Sequence, residues 1–315
     1  MRIVSLMPSA TQTLVLLHAS GDLVACSHDC RADARLPRLT SQPTGRGAYS
    51  LVSEWLVRDI DPAGHPLYTL DTDRLASLKP DLVIFSSDLL DPGVVHAAAH
   101  HRSAETGLAP TLLDLQPRTI EDIFDDVLRI GQACGRTAAA EALTVQLRAR
   151  MYEAQEYVAS FEPRRPVVAL LEWTSPLVLA GHWRVQMIER AGGEHPWNPT
   201  VPAHGAGAAA GPQQAQRRAG PPISTSPLSI SHARPDSVVI AVPGASLEQA
   251  GALADLLLAE PWFADLPAVR RGQAAVVDGR MFHEPGPNLV DACDWLVGWV
   301  QDRPHLLGGV SWRPL

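Results

Sequence analysis

The residues best suited to chemistry lie together in one stretch, Glu172-Trp-Thr-Ser-Pro-Leu-Val-Leu-Ala-Gly-His-Trp183. A carboxylate, an imidazole and two indoles (Glu172, His182, Trp173 and Trp183) follow the apolar run Val167–Leu171, which reads as a buried strand. The end of a strand is where an open α/β sheet offers groups to a ligand. Trp and His have apolar bodies with polar tips, so they suit the wall of a cleft. One Trp after a strand is ordinarily packing. A Glu-Trp and a Gly-His-Trp flanking one short hairpin point instead to one wall of a binding site, and the rest of the chain must supply the other.

Other strand ends supply candidates for that second wall. Pro8, Ser9, His28, Asp29, Cys30, Tyr49, Ser87 and Asp88 stand at strand ends or in the loops of the first half, and Phe282, His283 and Glu284 join the stretch in the second. Tyr49, Trp173, Trp183 and Phe282 offer faces for a large, flat, partly apolar ligand, with the imidazoles and carboxylates as polar anchors. A His could also be the axial ligand of a metal at the centre of a bound macrocycle. Two rival chemistries use the same residues. His28, Cys30, Glu172, His182, His283 and Glu284 are the right types to hold a transition ion directly, although no pair of them has a diagnostic spacing. Cys30 with His28 is the one nucleophile–base pair that would support an enzyme, since residues two apart on an extended strand point the same way. His96, His100 and His101 fall near one helix face with no carboxylate to complete a metal site, and read as a solvated face.

Bulk composition narrows the classes. At 315 residues the chain can fill two domains, each with its own core. With 46% hydrophobic and 19% charged residues it is globular and soluble, and a net charge of -8 gives no reason to expect nucleic acid or an anionic membrane as a partner. No run is long enough to span a membrane. Met1-Arg2 leads straight into the short run Ile3–Leu6 with no signal-type cleavage site behind it. The expectation is therefore a cytoplasmic monomer as written, or a periplasmic protein if the true start lies upstream. Cys26, Cys30, Cys134 and Cys293 form neither a C-x-x-C pair nor a dense framework, and read as reduced, structural thiols.

The elements that must position these groups alternate. Strands are expected at 2–6, 23–27, 66–70, 82–85 and 110–115, with helices at 10–18 (Ser9 as N-cap), 51–59, 72–78 (capped by Asp71) and from Asp91-Pro92. Thr119 opens about forty helical residues to Ser160, read as one long helix or a helix pair, ~60 Å if continuous. The alternation then resumes. Strands are expected at 237–242 and 274–278, helices at 185–190, 229–234, 247–258 and 288–300, and a loop over 279–287. Residues 199–222 are Ala/Gly/Pro/Gln-rich and read as a mobile surface insertion. The fold class is α/β: two Rossmann-like lobes with mostly parallel sheets joined by a long helix. Its divisions are 1–117, a connecting helix at 118–162, and 163–315 with the insertion.

Several motifs in this order resemble one family. Arg-Ile-Val-Ser-Leu-Met-Pro-Ser-Ala-Thr at 2–11, Lys-Pro-Asp-Leu-Val at 79–83, Arg-Pro-Asp-Ser-Val-Val at 234–239, Arg-Arg-Gly-Gln-Ala-Ala-Val-Val-Asp-Gly at 270–279 and the following Pro-Gly-Pro are similar to substrate-binding proteins of ABC importers for cobalamin and iron-siderophores. Ser-His-Asp-Cys at 27–30, Glu-Trp at 172–173 and Ala-Gly-His-Trp at 180–183 resemble the cobalamin-binding-like branch. The resemblance implies a ligand clamped between two lobes with limited hinge motion, and no catalysis. It also implies no required cofactor, cobalamin or another corrinoid as ligand, and an ABC permease as partner.

Overall fold

The structure, a computed structural model, describes residues 1–31, 33–42, 67–100, 109–159, 164–203 and 217–315. Tyr49, the helix expected at 51–59 and His101 lie outside the described residues.

The N-terminal strands are β1 (Ile3–Ser5), β2 (Leu23–Cys26), β3 (Thr40–Ser41), β4 (Thr69–Leu70), β5 (Leu82–Phe85) and β6 (Thr111–Asp114); short apolar runs make β1, β2 and β5, whereas β3 and β4 are a two-residue antiparallel pair. The main sheet has the order β2-β1-β5-β6 and every pairing in it is parallel. Its two central strands, β1 and β5, are buried on both faces, while the edge strand β6 is only partly covered. Because all four run the same way, their carboxyl ends share one edge. That edge carries residues 6–9, 27–31, 86–88 and 115–118.

Three helices follow these strands: α1 (Pro8–Leu16), α2 (Thr72–Leu78) and α3 (Pro92–His100). Asp71 caps α2 as its sequence indicates, accepting from Arg74 N–H at 3.0 Å. Ser9 does not cap α1. The helix starts two residues earlier than expected, at Pro8, with Met7 as the N-cap residue, because proline's fixed φ is already helical. Ser9 therefore sits inside the first turn.

The connector is a helix pair. A reciprocal Thr119–Asp122 capping box starts α4 (Ile120–Ala133). The chain breaks at Cys134-Gly135-Arg136, where Gly135 takes φ +70°, and returns as α5 (Thr137–Gln155). The two pack so closely that a Cβ on Gly131 would lie 2.2 Å from Ala140 Cβ. Both helices join both cores. Ile120, Ile123 and Phe124 of α4, with Met151 and Ala154 of α5, pack into the C-terminal core. Val127, Ile130 and Ala140 pack into the N-terminal one.

The C-terminal strands are β7 (Val168–Thr174), β8 (Leu177–Leu179), β9 (Val201–Pro202), β10 (Arg217–Arg218), β11 (Ile223–Ser224), β12 (Ser237–Ile240), β13 (Ala274–Val277) and β14 (Trp312–Pro314). The main sheet runs β11-β8-β7-β12-β13-β14. Its centre, β7-β12-β13, is parallel, and antiparallel strands close both sides. Its helices are α6 (Trp183–Arg190), α7 (Pro227–Ala233), α8 (Leu247–Leu258), α9 (Pro261–Ala264), α10 (Pro267–Arg270), α11 (Gly279–His283) and α12 (Leu289–Val300). Two segments differ from the sequence reading. The loop expected at 279–287 begins as α11, because Asp278 accepts from Arg280 N–H and caps a helical turn. The flanks of the 199–222 insertion are part of the framework: β9 pairs with β10, and Ala219 is buried. Among the described residues no helix is long and apolar enough to cross a membrane.

Candidate ligand-binding cleft

The two carboxyl edges meet. Gly286, after α11, lies against the start of α1, where a Cβ on it would stand 2.9 Å from Ser9 Cβ and 3.2 Å from Ser9 Cα. Beside this contact Arg31 Nη2 donates to Glu284 Oε1 at 3.3 Å. The lobes therefore face each other through the 6–9 and 27–31 turns on one side and residues 278–287 on the other. This is the strand-end position that α/β sheets use for ligands.

On the N-terminal side the turn after β2 is pinned by local bonds. His28 Nδ1 stands 2.7 Å from Thr40 Oγ1, and its ring meets Tyr68 edge-on at 4.7 Å between centroids. Tyr68 donates its hydroxyl to Asp29 Oδ2 at 2.6 Å, and His28 Nε2 lies 3.2 Å from Asp29 Oδ1. Burial first, and then the Asp29 charge, push the Tyr68 hydroxyl up, so it stays a donor. Cys30 points inward, 3.0 Å from Thr11 Oγ1 and 3.4 Å from Ser27 Oγ. It makes no hydrogen bond to His28, so the nucleophile–base pair the spacing allows is not assembled. Pro8 is half-buried at the start of α1 and Ser9 is buried beneath Gly286. Ser87 and Asp88 belong to a separate polar group at the ends of β5 and β6. There Asp88 pairs with Arg118 at 2.7 Å, Ser87 N–H donates to Asp114, and Gln116 donates to Ser87 Oγ.

The C-terminal wall is built more deeply than its sequence suggests. Side chains alternate along β7: Val168 and Leu170 enter the core under α6 and α12, while Ala169 and Leu171 enter the opposite one. A bulge between Leu171 and Trp173 marks Glu172. By the same alternation Glu172 faces the α6 side, and it is fully buried. Its Oε1 accepts from Arg184 Nε at 2.6 Å and from Gly181 N–H at 3.0 Å. Burial pushes its carboxyl up, opposed by the Arg184 charge and these two bonds. Glu172 is thus a buried support, not a surface anchor. Trp183 and Phe282 are buried as well. Trp183 donates its indole N–H to Phe282 O at 3.0 Å and is overlaid by the Arg184 guanidinium at 4.4 Å, while Phe282 packs edge-on against Trp295.

What remains accessible on this side is Trp173, His182, His283 and Glu284, each half-buried. Trp173 donates to Ser175 O at 2.7 Å. His182 takes φ +51° with its ring stacked beside Trp183. The insertion flank holds it there: His182 N–H donates to Gly220 O at 2.9 Å, and a Cβ on Gly181 would strike Pro222 N at 2.2 Å. His283 Nε2 is 2.7 Å from Ala241 O. Burial, with the nearby Arg184 charge, holds its imidazole well below the usual range, so it is neutral and donates through Nε2. Burial pushes Glu284 up while Arg31 and Arg280 pull it down. Among the described residues no three His, Cys, Asp or Glu side chains converge as a metal set. Arg31, Tyr68, Arg184 and Arg280 are not among the candidates that residue type and spacing single out. Arg31 and Arg184 are immediate neighbours of residues that are singled out, whereas Tyr68 gives no local signal.

Two lobes of this topology, touching at their strand ends and tied by a helix pair, define a bilobal binding-protein fold of the type with a helical backbone. The chain belongs to the periplasmic binding protein family, whose model matches residues 3–281. Members of this family and the structures similar to this one are substrate-binding proteins. A periplasmic heme-binding protein from Pseudomonas aeruginosa superposes with a TM-score of 0.65 at 20% identity, covering 100% of this chain and 94% of that one. The periplasmic heme-binding protein RhuT from Roseiflexus sp. RS-1 gives 0.65 at 21% identity, with 96% and 98% covered. The periplasmic vitamin B12-binding protein BtuF of Vibrio cholerae gives 0.64 at 18% identity, with 96% and 97% covered. No curated protein sequence matches the chain significantly.

Proposed function

We propose that this protein binds a corrinoid or a similar metal-macrocycle between its lobes, divided at 1–117 and 163–315, and presents it to an ABC permease. The observation that carries this reading is the meeting of the two strand-end edges at Ser9–Gly286 and Arg31–Glu284. Tyr68 bonded to Asp29, His283 beside Glu284, and His182 stacked on the Trp183 that bonds Phe282 O stand by that seam, with cations at Arg31 and Arg280. Faces for stacking plus a few charged anchors are what a flat ligand with acidic or amide side arms needs. Similar structures that bind vitamin B12 or heme support the ligand class. Nothing in the geometry favours a bare metal ion or a thiol enzyme over this reading.

The test is titration with cyanocobalamin and, separately, with haemin, followed by tryptophan emission corrected with free tryptophan. Saturable quenching is expected with one of them, together with a stabilisation of ~2.7 kcal/mol at a hundredfold excess over Kd. Unchanged emission with both, at concentrations well above micromolar, refutes the reading.

A further inference from the structure

Among the described residues, three carboxylates and two guanidiniums meet at the seam: Asp29 and Arg31 from the N-terminal lobe, Asp278, Arg280 and Glu284 from the C-terminal one. Both guanidiniums are already matched. Arg31 Nη2 meets Glu284 Oε1 at 3.3 Å. Arg280 holds Asp278 at two points, Nε to Oδ1 at 2.8 Å and Nη2 to Oδ2. Arg184, deeper in the wall, is matched by Glu172 in the same way. Asp29 is the carboxylate left over. It accepts from the Tyr68 hydroxyl at 2.6 Å and lies 3.2 Å from His28 Nε2. An imidazole offsets that charge only when protonated. The crowding is felt at Glu284: burial raises its carboxyl, Arg31 and Arg280 lower it, and the charges of Asp278 and Asp29 raise it again.

The neutral donors are engaged too. The Tyr68 hydroxyl is on Asp29, His283 Nε2–H is on Ala241 O at 2.7 Å, and the Trp183 indole N–H is on Phe282 O at 3.0 Å. A ligand carboxylate accepts and never donates, so it finds these donors taken. At either guanidinium it would stand beside the carboxylate already bound there, and like charges brought together are penalised. A primary amide meets neither obstacle. It carries no charge, its NH2 can donate to Asp29 or Glu284, and its oxygen can accept.

We propose that the seam selects macrocycles with uncharged amide arms and rejects those with carboxylate arms, and that Asp29 and Glu284 set this preference. The specificity rests on the macrocycle-binding reading of the cleft and separates its two ligand classes. The peripheral amides of a corrinoid suit the seam, whereas the two propionates of a haem do not. Rejection of the wrong arm is achieved by an unfavourable charge, not by a better contact with the right one.

The experiment titrates the full chain, followed by tryptophan emission, with probes matched except for their arms. One pair is cyanocobalamin and its monocarboxylic acid, in which one peripheral amide is hydrolysed. The other is haemin and its bis-amide. At pH 8 ordinary carboxylates are charged and ordinary imidazoles are neutral. Each amide form should bind about tenfold tighter than its acid partner, or more, and the ratio should shrink as salt screens the charges. Asp29→Asn and Glu284→Gln should each bring the ratio toward one, chiefly by tightening the acid form, and Arg31→Met should widen it. A merely structural role for these carboxylates would move both forms alike and leave the ratio in place. The proposal is overturned, with macrocycle binding intact, if a ring binds as tightly in its acid form as in its amide form, or if the ratio survives both carboxylate substitutions. If no form of either ring binds, the macrocycle reading fails and the proposal falls with it.

Discussion

Replacing Arg184 by Met tests whether the buried Glu172–Arg184 pair supports the C-terminal wall. The guanidinium is 6% exposed and the carboxylate 0%, with 2.6 Å between Nε and Oε1. Without Arg184, Glu172 keeps only the Gly181 N–H as a bonding partner. Removing one member of a buried pair costs ~3–5 kcal/mol, because the other charge stays desolvated. The cost must also depend on pH with a definite sign. Burial already raises Glu172 in the folded wild type, so the folded chain holds that proton more tightly than the unfolded one. Such a group lowers stability as pH rises above the ordinary carboxylate range. In the variant the folded value climbs further. Between the wild-type and variant values the variant binds the extra proton, and the stability gap closes on acidification by at most ~1.4 kcal/mol per pH unit. The deficit should therefore be largest at pH 8 and smaller at pH 5. Urea unfolding followed by far-UV circular dichroism at both pH values measures it. Adding Glu172→Gln to the variant should recover most of the loss. A deficit under ~1 kcal/mol at pH 8, or one larger at pH 5 than at pH 8, refutes the account of the pair.

Two further substitutions probe the seam and the core. Gly286→Val would drive its side chain into Ser9, whose Cβ, Cα and O already lie 2.9, 3.2 and 3.4 Å from the position a Cβ would take. It should cost ~1–3 kcal/mol and speed amide exchange at residues 6–9 and 27–31, and unchanged exchange there would mean the lobes do not meet as described. His195 is buried, bonded through Nδ1 to Val168 O at 2.9 Å, and burial pulls its imidazole down to about 4. The unfolded chain takes up this proton first, so the folded state loses stability as pH falls from about 6.5 to about 4, by on the order of 3 kcal/mol in all. His195→Asn keeps a donor near the Nδ1 position and should flatten that acid limb in urea unfolding between pH 7 and pH 4. An unchanged slope would mean His195 is not the group responsible.

Much of the framework was legible because its signals are local. Asp71 and the apolar runs at 82–85 and 247–258 each declare a cap or a period, and those elements have the bounds the sequence indicates, while Thr119 opens its helix where expected although the helix pair ends at Gln155 and not Ser160. The edge strand β14 was not legible, since Trp312-Arg313-Pro314 alternates over too few residues and depends on pairing with β13. The depth of the candidate site was half-legible. Period-two alternation from Val168 through Leu170 already puts Glu172 on a core face, but the polarity of Glu argues for the surface. Only Arg184, twelve residues on and folded back by the β7–β8 hairpin, neutralises it. Partners distant in sequence give no signal in one chain. Arg31 meets Glu284, Tyr68 meets Asp29, and the insertion flank at 217–222 braces Gly181 and His182 only through tertiary contact.

The connector decides how the cleft can move. Both of its helices insert apolar side chains into both cores, so a hinge rotation would have to extract Ile120, Ile123 and Phe124 from one core or Val127 and Ile130 from the other. Ion pairs add to the restraint. Glu121 of α4 holds Arg148 of α5 at 2.6 Å and Arg190 of α6 at 3.3 Å, while Arg150 of α5 holds Asp291 and Asp294 of α12, each at 2.6 Å. Gln186 of α6 accepts from the first amide of α4 at 2.7 Å. A buried hydrophobic contact of this kind is worth about 1.5–3 kcal/mol per side chain, whereas the exposed Arg31–Glu284 pair contributes a median of about 0–1 kcal/mol. The weak links are thus the 27–31 turn and the 278–287 segment, and the strong ones are the helix pair. If the seam opens, the least costly place is therefore those two segments, where only the Arg31–Glu284 pair and local turn bonds must break, and not the helix pair.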